Sequence, residues 1–375
     1  MHAKQQQPAG RESGFSLVEV MVGMVIGMLG IIIVMQVFAM FEGQKRTTGG
    51  ASEAQNNGAI ALLGLVRDIQ QTGYGISAYT LLGCDLTLTS GVTVAGALVP
   101  ITINHPAIPA GDANTSTLLI IYGNSDTSPE GISIDSQTTP VNVYQVGAPS
   151  TFYKTSDVVI AAPQTRPAVC SMLQDSISNI AAGGTPDSAQ LTVATGVAGV
   201  SQGTLYDLGQ SPRMVAYAVR GGNLTACDYM VNNCGDTTKT SDSTVWVPIA
   251  NNIVSLQAQY GHDTLTPVPP PATQTSYIVD TYDQTTPTTA CLWARTPAVR
   301  IAVVARNEQY EKNGGTAASP TFATNSYPSW DGGAINLGAN PGSTTDQPWK
   351  HYRYKVFQTT IAIRSAAWMG VQSGC

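Results

Sequence analysis

The sequence predicts an α+β protein in which one long N-terminal α-helix, half of it transmembrane, packs on a large, β-rich head of antiparallel sheets with long loops. Three observations predict it. The chain is apolar from Phe15 to Phe41 apart from Ser16, Glu19, Gln36 and several glycines; Leu62, Leu65, Val66 and Ile69 repeat with helical spacing; and after Gly75 short Val-, Ile-, Thr- and Tyr-rich runs alternate with turn residues. At 375 residues the chain can bury the core of one generous domain or two average ones. Charged residues make up only 11% of it, beside 37 glycines and 22 prolines, a mixture that suits turns and exposed strands. A net charge of −6 gives no positive field to hold a polyanion, so no nucleic-acid partner is expected. The 6 cysteines all follow the apolar run, and their even number favours an oxidising compartment.

Taken in order, residues 1–14 read as a leader, 15–42 as a membrane-spanning half-helix, 43–75 as an amphipathic half-helix and 76–375 as the head. The leader is polar, with Lys4, Arg11 and Glu12, and the small residue Gly14 stands before the apolar run rather than after it, unlike a secretory signal. At 1.5 Å per residue the run gives about 40 Å of helix, enough to cross about 30 Å of hydrocarbon. Lys4 and Arg11 before the span are matched by Lys45 and Arg46 after it, so flanking charge does not orient it. Glu19 stands out, because a carboxylate near the start of a membrane helix costs about 3 kcal/mol to insert. If the chain is cut after Gly14, the new amine on Phe15 lies one helical turn from Glu19, and a neighbouring subunit's amine is equally within reach. Snorkelling of Glu19 to the headgroups is the alternative. Gly23 and Gly27 form a small-xxx-small pair that lets another helix approach. Gly73 and Gly75 supply a stop near Thr72, while Gly43, Gly49, Gly50 and Gly58 weaken the middle of the helix.

The run Gly14-Phe15-Ser16-Leu17-Val18-Glu19 resembles the class III signal of type IV prepilins and type II secretion pseudopilins. The resemblance implies that a prepilin peptidase cuts after Gly14, that Phe15 becomes the methylated N-terminus and that Glu19 is the assembly carboxylate. Two departures accompany it: the leader is long for the commonest pilin group, and no proline occurs between Phe15 and Tyr74.

Candidate strands in the head are Thr117 to Tyr122, Val141 to Val146, Asp157 to Ala162, Gln190 to Thr195, Met214 to Arg220, Ile253 to Tyr260, Ala298 to Arg306 and Tyr352 to Arg364. Long loops are expected near 263–275, around Pro267 to Pro271, and over 313–348. Four segments, Leu62 to Gly75, Asn251 to Asp263, Val299 to Asn307 and Tyr352 to Ser365, resemble in order and spacing the landmarks of PilW-type minor pilins. The stretch Leu81 to Ala250 carries none of them.

No other chemistry is strongly marked. Gly199-Val200-Ser201-Gln202-Gly203 fits a G-x-S-x-G nucleophile elbow, but Gly203, Gly209 and Pro212 oppose the helix that should follow, so no enzyme is expected. His2, His105, His262 and His351 lack paired spacing, and neither a metal nor a cofactor is expected. The segment from Asp228 to Asp242 lacks EF-hand spacing and reads as a solvated loop. Lys350, Arg353 and Lys355 with Tyr352 and Tyr354 read as a strand with one wet face. Cys227 and Cys234 close a short loop as a local disulfide, with metal ligation as the alternative. The other four, Cys84, Cys170, Cys291 and Cys375, allow three pairings; chain order would give Cys84 with Cys170 and Cys291 with Cys375, and the sequence does not choose.

The resemblance implies a minor subunit of the complex that primes pilus assembly and caps the tip, supporting twitching motility and adhesion. Its partners would be the prepilin peptidase, other minor pilins, the major pilin, a tip adhesin and, before assembly, the inner membrane. The chain would sit there as a single-pass protein with a cytoplasmic N-terminus, and later in a cell-surface pilus. A type II secretion pseudopilin and a tip adhesin whose ligand site lies in the Leu81 to Ala250 stretch are the competing readings.

Overall fold

The structure, a computed structural model, describes residue 14 and residues 16–264, 277–312, 314–316, 319–338, 347–368 and 375. The expected leader up to residue 13, Phe15 and most of the 263–275 loop lie outside these. The chain forms two compact units, Met1–Ser52 and Glu53–Cys375, and helix α1 (Leu17–Gln71) contributes to both.

In the first unit α1 begins at a serine. Ser16 Oγ accepts from Glu19 N at 3.2 Å, which satisfies one of the amides that a helix start leaves open. From Leu17 to Glu42 the mean hydropathy of the richest window is 2.6, and no side chain of that window is buried within the structure. A helix that is apolar all round belongs in a lipid or protein surround.

In the second unit α1 presents Ala54, Ala61, Leu65 and Ile69 to the head, all buried, with Leu62 and Val66 beside them. As expected of one long helix, α1 runs unbroken through Gly43, Gly49, Gly50 and Gly58. At Gly58 the ring of Phe357 rests where a Cβ would stand. The helix ends as Gly73 (φ 78°) and Gly75 (φ 82°) take left-handed backbone that other residues adopt at a cost, and Gly73 N donates to Ile121 O.

The head begins with β1 (Cys84–Thr87), β2 (Thr93–Leu98), β3 (Ile101–Ile103), β4 (Leu118–Tyr122), β5 (Ile132–Thr138), β6 (Val143–Val146), β7 (Val158–Ala162), β8 (Ser171–Ala182), β9 (Ala189–Val193) and β10 (Thr204–Gly209). It continues through β11 (Arg213–Arg220), β12 (Asn223–Asp228), β13 (Val247–Ala250), β14 (Ile253–His262), β15 (Thr281–Asp283), the short helix α2 (Ala290–Ala294) and β16 (Ala298–Arg306). Two small hairpins, β17 (Gly314–Thr316) with β18 (Ser319–Thr321) and β19 (Ser329–Trp330) with β20 (Gly333–Ala334), precede β21 (Tyr354–Ala362). The 313–348 stretch, expected to be loop, is therefore partly paired. The second hairpin is held by Arg300, whose guanidinium lies between the rings of Tyr282 and Trp330, and by Gln358, which bonds Asp331.

An antiparallel sheet in the order β15-β14-β16-β21 and another in the order β13-β12-β11-β4-β3 share one core with the lower half of α1. The other face of the five-stranded sheet carries Leu119, Ile121, Met214, Ala216 and Ala218 into a second core, closed by β1, β2, β7, β8 and β10. Burial on both faces explains why β4 and β11 read as continuous apolar runs rather than alternating ones. Beyond this layer β8-β7-β10-β5-β6-β9 closes on itself through β8–β9 pairing, a six-stranded antiparallel barrel with its own core of Ile134, Tyr144, Val159, Ile177, Leu191 and Leu205. Tyr122 at the end of β4 pairs with Arg213 at the start of β11, so the barrel is inserted between two strands that neighbour each other.

Candidate functional site

The N-terminal site is built on the first turns of α1. Gly14 is exposed, with open space where a Cβ would lie, and Glu19 is the acidic residue of the first helical turn. Serine at the cap with glutamate three residues later is the S-x-x-E pattern of a capping box, a signal that the composition of the span hid. The position has an electrostatic consequence. A helix start carries partial positive charge, which favours the Glu19 carboxylate and disfavours any cation there. Gly23 and Gly27 lie one turn apart with nothing within 4 Å of an added Cβ, a shallow groove beside large exposed residues such as Ile26 and Ile31.

In the head, the cysteines join Cys84 to Cys170, Cys227 to Cys234 and Cys291 to Cys375, with Cα separations of 4.8, 5.8 and 5.3 Å, within the ordinary span of a disulfide. The first ties β1 to the residue before β8 and so fastens the barrel to the layer beneath it. The second closes its local loop by a bond between the two sulfurs. The third fixes residue 375 against α2.

The other candidates dissolve into the fold. Ser201 Oγ accepts from Gln137 N at 2.9 Å, and strand β10, not a helix, follows Gly203. His105 bonds Ala95 O, His262 pairs with Asp283 at 3.2 Å, and His351 bonds Glu311 O; His2 lies outside the described residues. In the Asp228 to Asp242 loop, Asp228 pairs with Arg213 at 2.7 Å, while Asp236 and Asp242 each accept from a threonine two residues on, bonds that hold both carboxyls below the usual range. Among the described residues no three His, Cys, Asp or Glu side chains gather as a metal site. Of the basic-aromatic cluster, Arg353 forks onto Glu311 at 2.6 and 3.0 Å and Lys350 lies 4.7 Å over the ring of Phe322, so these charges are engaged within the head.

Comparison with known families places two signatures on this architecture. Residues 10–35 match the model described as Prokaryotic N-terminal methylation motif, and residues 218–365 match that of Type IV Pilus-assembly protein W. The first covers Gly14 and most of the apolar run; the second runs from the end of β11 through the whole four-stranded sheet. The barrel strands, from Ile132 to Gly209, lie between the two matches. No curated protein and no solved structure matches the chain.

Proposed function

We propose, from the premise that a chain bearing both the methylation motif and the PilW head is a PilW-type minor pilin of the type IV pilus, that it is processed after Gly14, methylated on Phe15 and drawn into the filament through Glu19. The observation that carries this reading is the position of Glu19: an acidic first turn on an unburied apolar helix, inside the matched motif. In the membrane the carboxylate is costly; beside an amine, its own or a neighbour's, it becomes an attraction strengthened by the low dielectric. Gly23 and Gly27 then offer the approach surface for the next helix.

A head of this size is hard to repeat around a tightly wound filament. That favours a low-copy place in the priming and tip complex, in contact with other minor pilins, the major pilin and a tip adhesin, serving motility and adhesion. Before assembly the span anchors the chain in the inner membrane, N-terminus inward, where the prepilin peptidase acts. The match of the four-stranded sheet to a pilus-assembly family favours this over a secretion pseudopilin.

The experiment is Glu19→Ala in cells, with the subunit quantified in membranes and in sheared filaments. The expected outcome is a normal membrane level and at least a tenfold loss from filaments. Equal incorporation of the variant would remove the assembly role of Glu19.

A further inference from the structure

The arginines of the head divide by what they do. Of the half-buried ones among the described residues, Arg220 donates to the carbonyls of Pro109 and Ala110, Arg295 pairs with Asp263, and Arg300 donates to Gln259. Arg306, at the end of β16, differs. Its guanidinium lies 4.5 Å over the ring of Tyr352 and makes no side-chain hydrogen bond or ion pair among the described residues, whereas a buried Nε without an acceptor is something it shares with Arg220 and Arg295. A guanidinium held against an aromatic face, with its outer nitrogens bonded to no protein acceptor, keeps those donors available to a ligand. The fold's own hydrogen bonding does not account for it.

Arg306 lines a pocket of about 360 Å³ at the seam of the two sheets, where the β11–β12 turn, the end of β16 and the start of β21 meet. Asp112 lies on the same wall, its carboxylate fixed by the amides of Gly221 and Gly222 at 3.0 and 2.8 Å. Trp349 and Tyr354 add aromatic surface, and Tyr354 is itself held in place by donating to Trp349 O at 2.8 Å. The lining thus offers one planar fork of donors, one fixed acceptor and three rings, those of Trp349, Tyr352 and Tyr354.

We propose that this pocket binds a hydroxylated carboxylate of single-ring size, a uronic acid residue, with Arg306 taking the carboxylate and Asp112 accepting from a ring hydroxyl. A guanidinium matches a carboxylate with two parallel N–H···O bonds, and stacking on Tyr352 orients the fork beforehand. The volume, at the low end of the usual range of about 300–1,000 Å³, admits one ring and excludes an extended peptide. The inference does not depend on the filament assignment, since binding is read on the purified chain.

The test is titration calorimetry with ligand-observed NMR on the full chain in detergent micelles, using galacturonate, galactose, inorganic phosphate and a short acidic peptide. Saturable binding of galacturonate, at least tenfold tighter than of the other three, is expected. Arg306→Gln should weaken it at least tenfold with an unchanged unfolding midpoint, and Arg306→Lys should retain part of it. Absence of saturable galacturonate binding, equal binding of galactose, phosphate or peptide, or unaltered affinity in a folded Arg306→Gln chain overturns the proposal. The galacturonate–galactose comparison uses the unaltered chain, so it decides the matter even if the variants fail to fold.

Discussion

At Gly203 the chain passes so close to β7 that a Cβ would collide with the carbonyl of Ala162, and at Gly199 the backbone turns with φ 80°. Those two demands, a close approach and a left-handed turn, place the glycines of the G-x-S-x-G string, and Ser201 between them only accepts from a neighbouring amide. Gly203→Ala should therefore destabilise the head by about 1–3 kcal/mol, as overpacking against rigid backbone does, while Ser201→Ala changes little; urea unfolding of the two variants checks the contrast, and the reverse order would refute it. Asp207 is a different case. Burial pushes its carboxyl above the ordinary range of 3.8, while Gly209 N, which donates to it at 2.8 Å, and Ser125 pull the other way. The native state then holds the proton to higher pH than the unfolded chain, so stability falls as pH rises from the ordinary carboxylate range to the raised value. Asp207→Asn keeps an acceptor for Gly209 and removes the titration. Unfolding at pH 7 should show it more stable than the parent, the gain vanishing below pH about 3.8; a gain that persists at pH 3 would contradict the assignment.

Helix α1 was legible because its signals are strong: an apolar span, then Leu62, Leu65, Val66 and Ile69 at helical spacing, then two glycines. Of the glycines in its middle, Gly58 has a packing reason that its sequence neighbours do not announce, the contact with Phe357. Leu65 is fully buried between the two sheets, so Leu65→Ala should cost about 2–5 kcal/mol in a denaturant titration of the full chain. A loss below about 0.5 kcal/mol would mean that the helix does not dock on the head as described. Strands β4, β7, β11, β14, β16 and β21 were likewise readable from Val- and Ile-rich runs. Strand β8 was not, because its sequence mixes Gln174, Asp175, Ser176 and Asn179 with apolar residues as it passes from β7 to β9. Strand β10 hides for a related reason, with Asp207 and Gly209 breaking its pattern.

Across the whole molecule, the legible and the hidden parts separate by contact range. The PilW-like landmarks are the end of α1 and strands β14, β16 and β21, three strands of one sheet that each announce themselves locally. The barrel depends on β6 meeting β9 and β5 meeting β10 across long stretches of chain, and on an insertion between β4 and β11, none of which leaves a local trace. The two proposed sites are equally uneven: Glu19 stands out locally as a carboxylate in an apolar run, whereas the Arg306 pocket joins residues 112, 221, 306 and 354, far apart in sequence. The proposed assembly role depends most heavily on one event, a cut after Gly14 that would leave an amine on residue 15. Mass spectrometry of the subunit recovered from sheared filaments reads it directly. The account predicts an N-terminal peptide beginning at Phe15 and carrying one methyl group; a peptide that retains Met1 to Gly14, or one that begins beyond the apolar span, would contradict it.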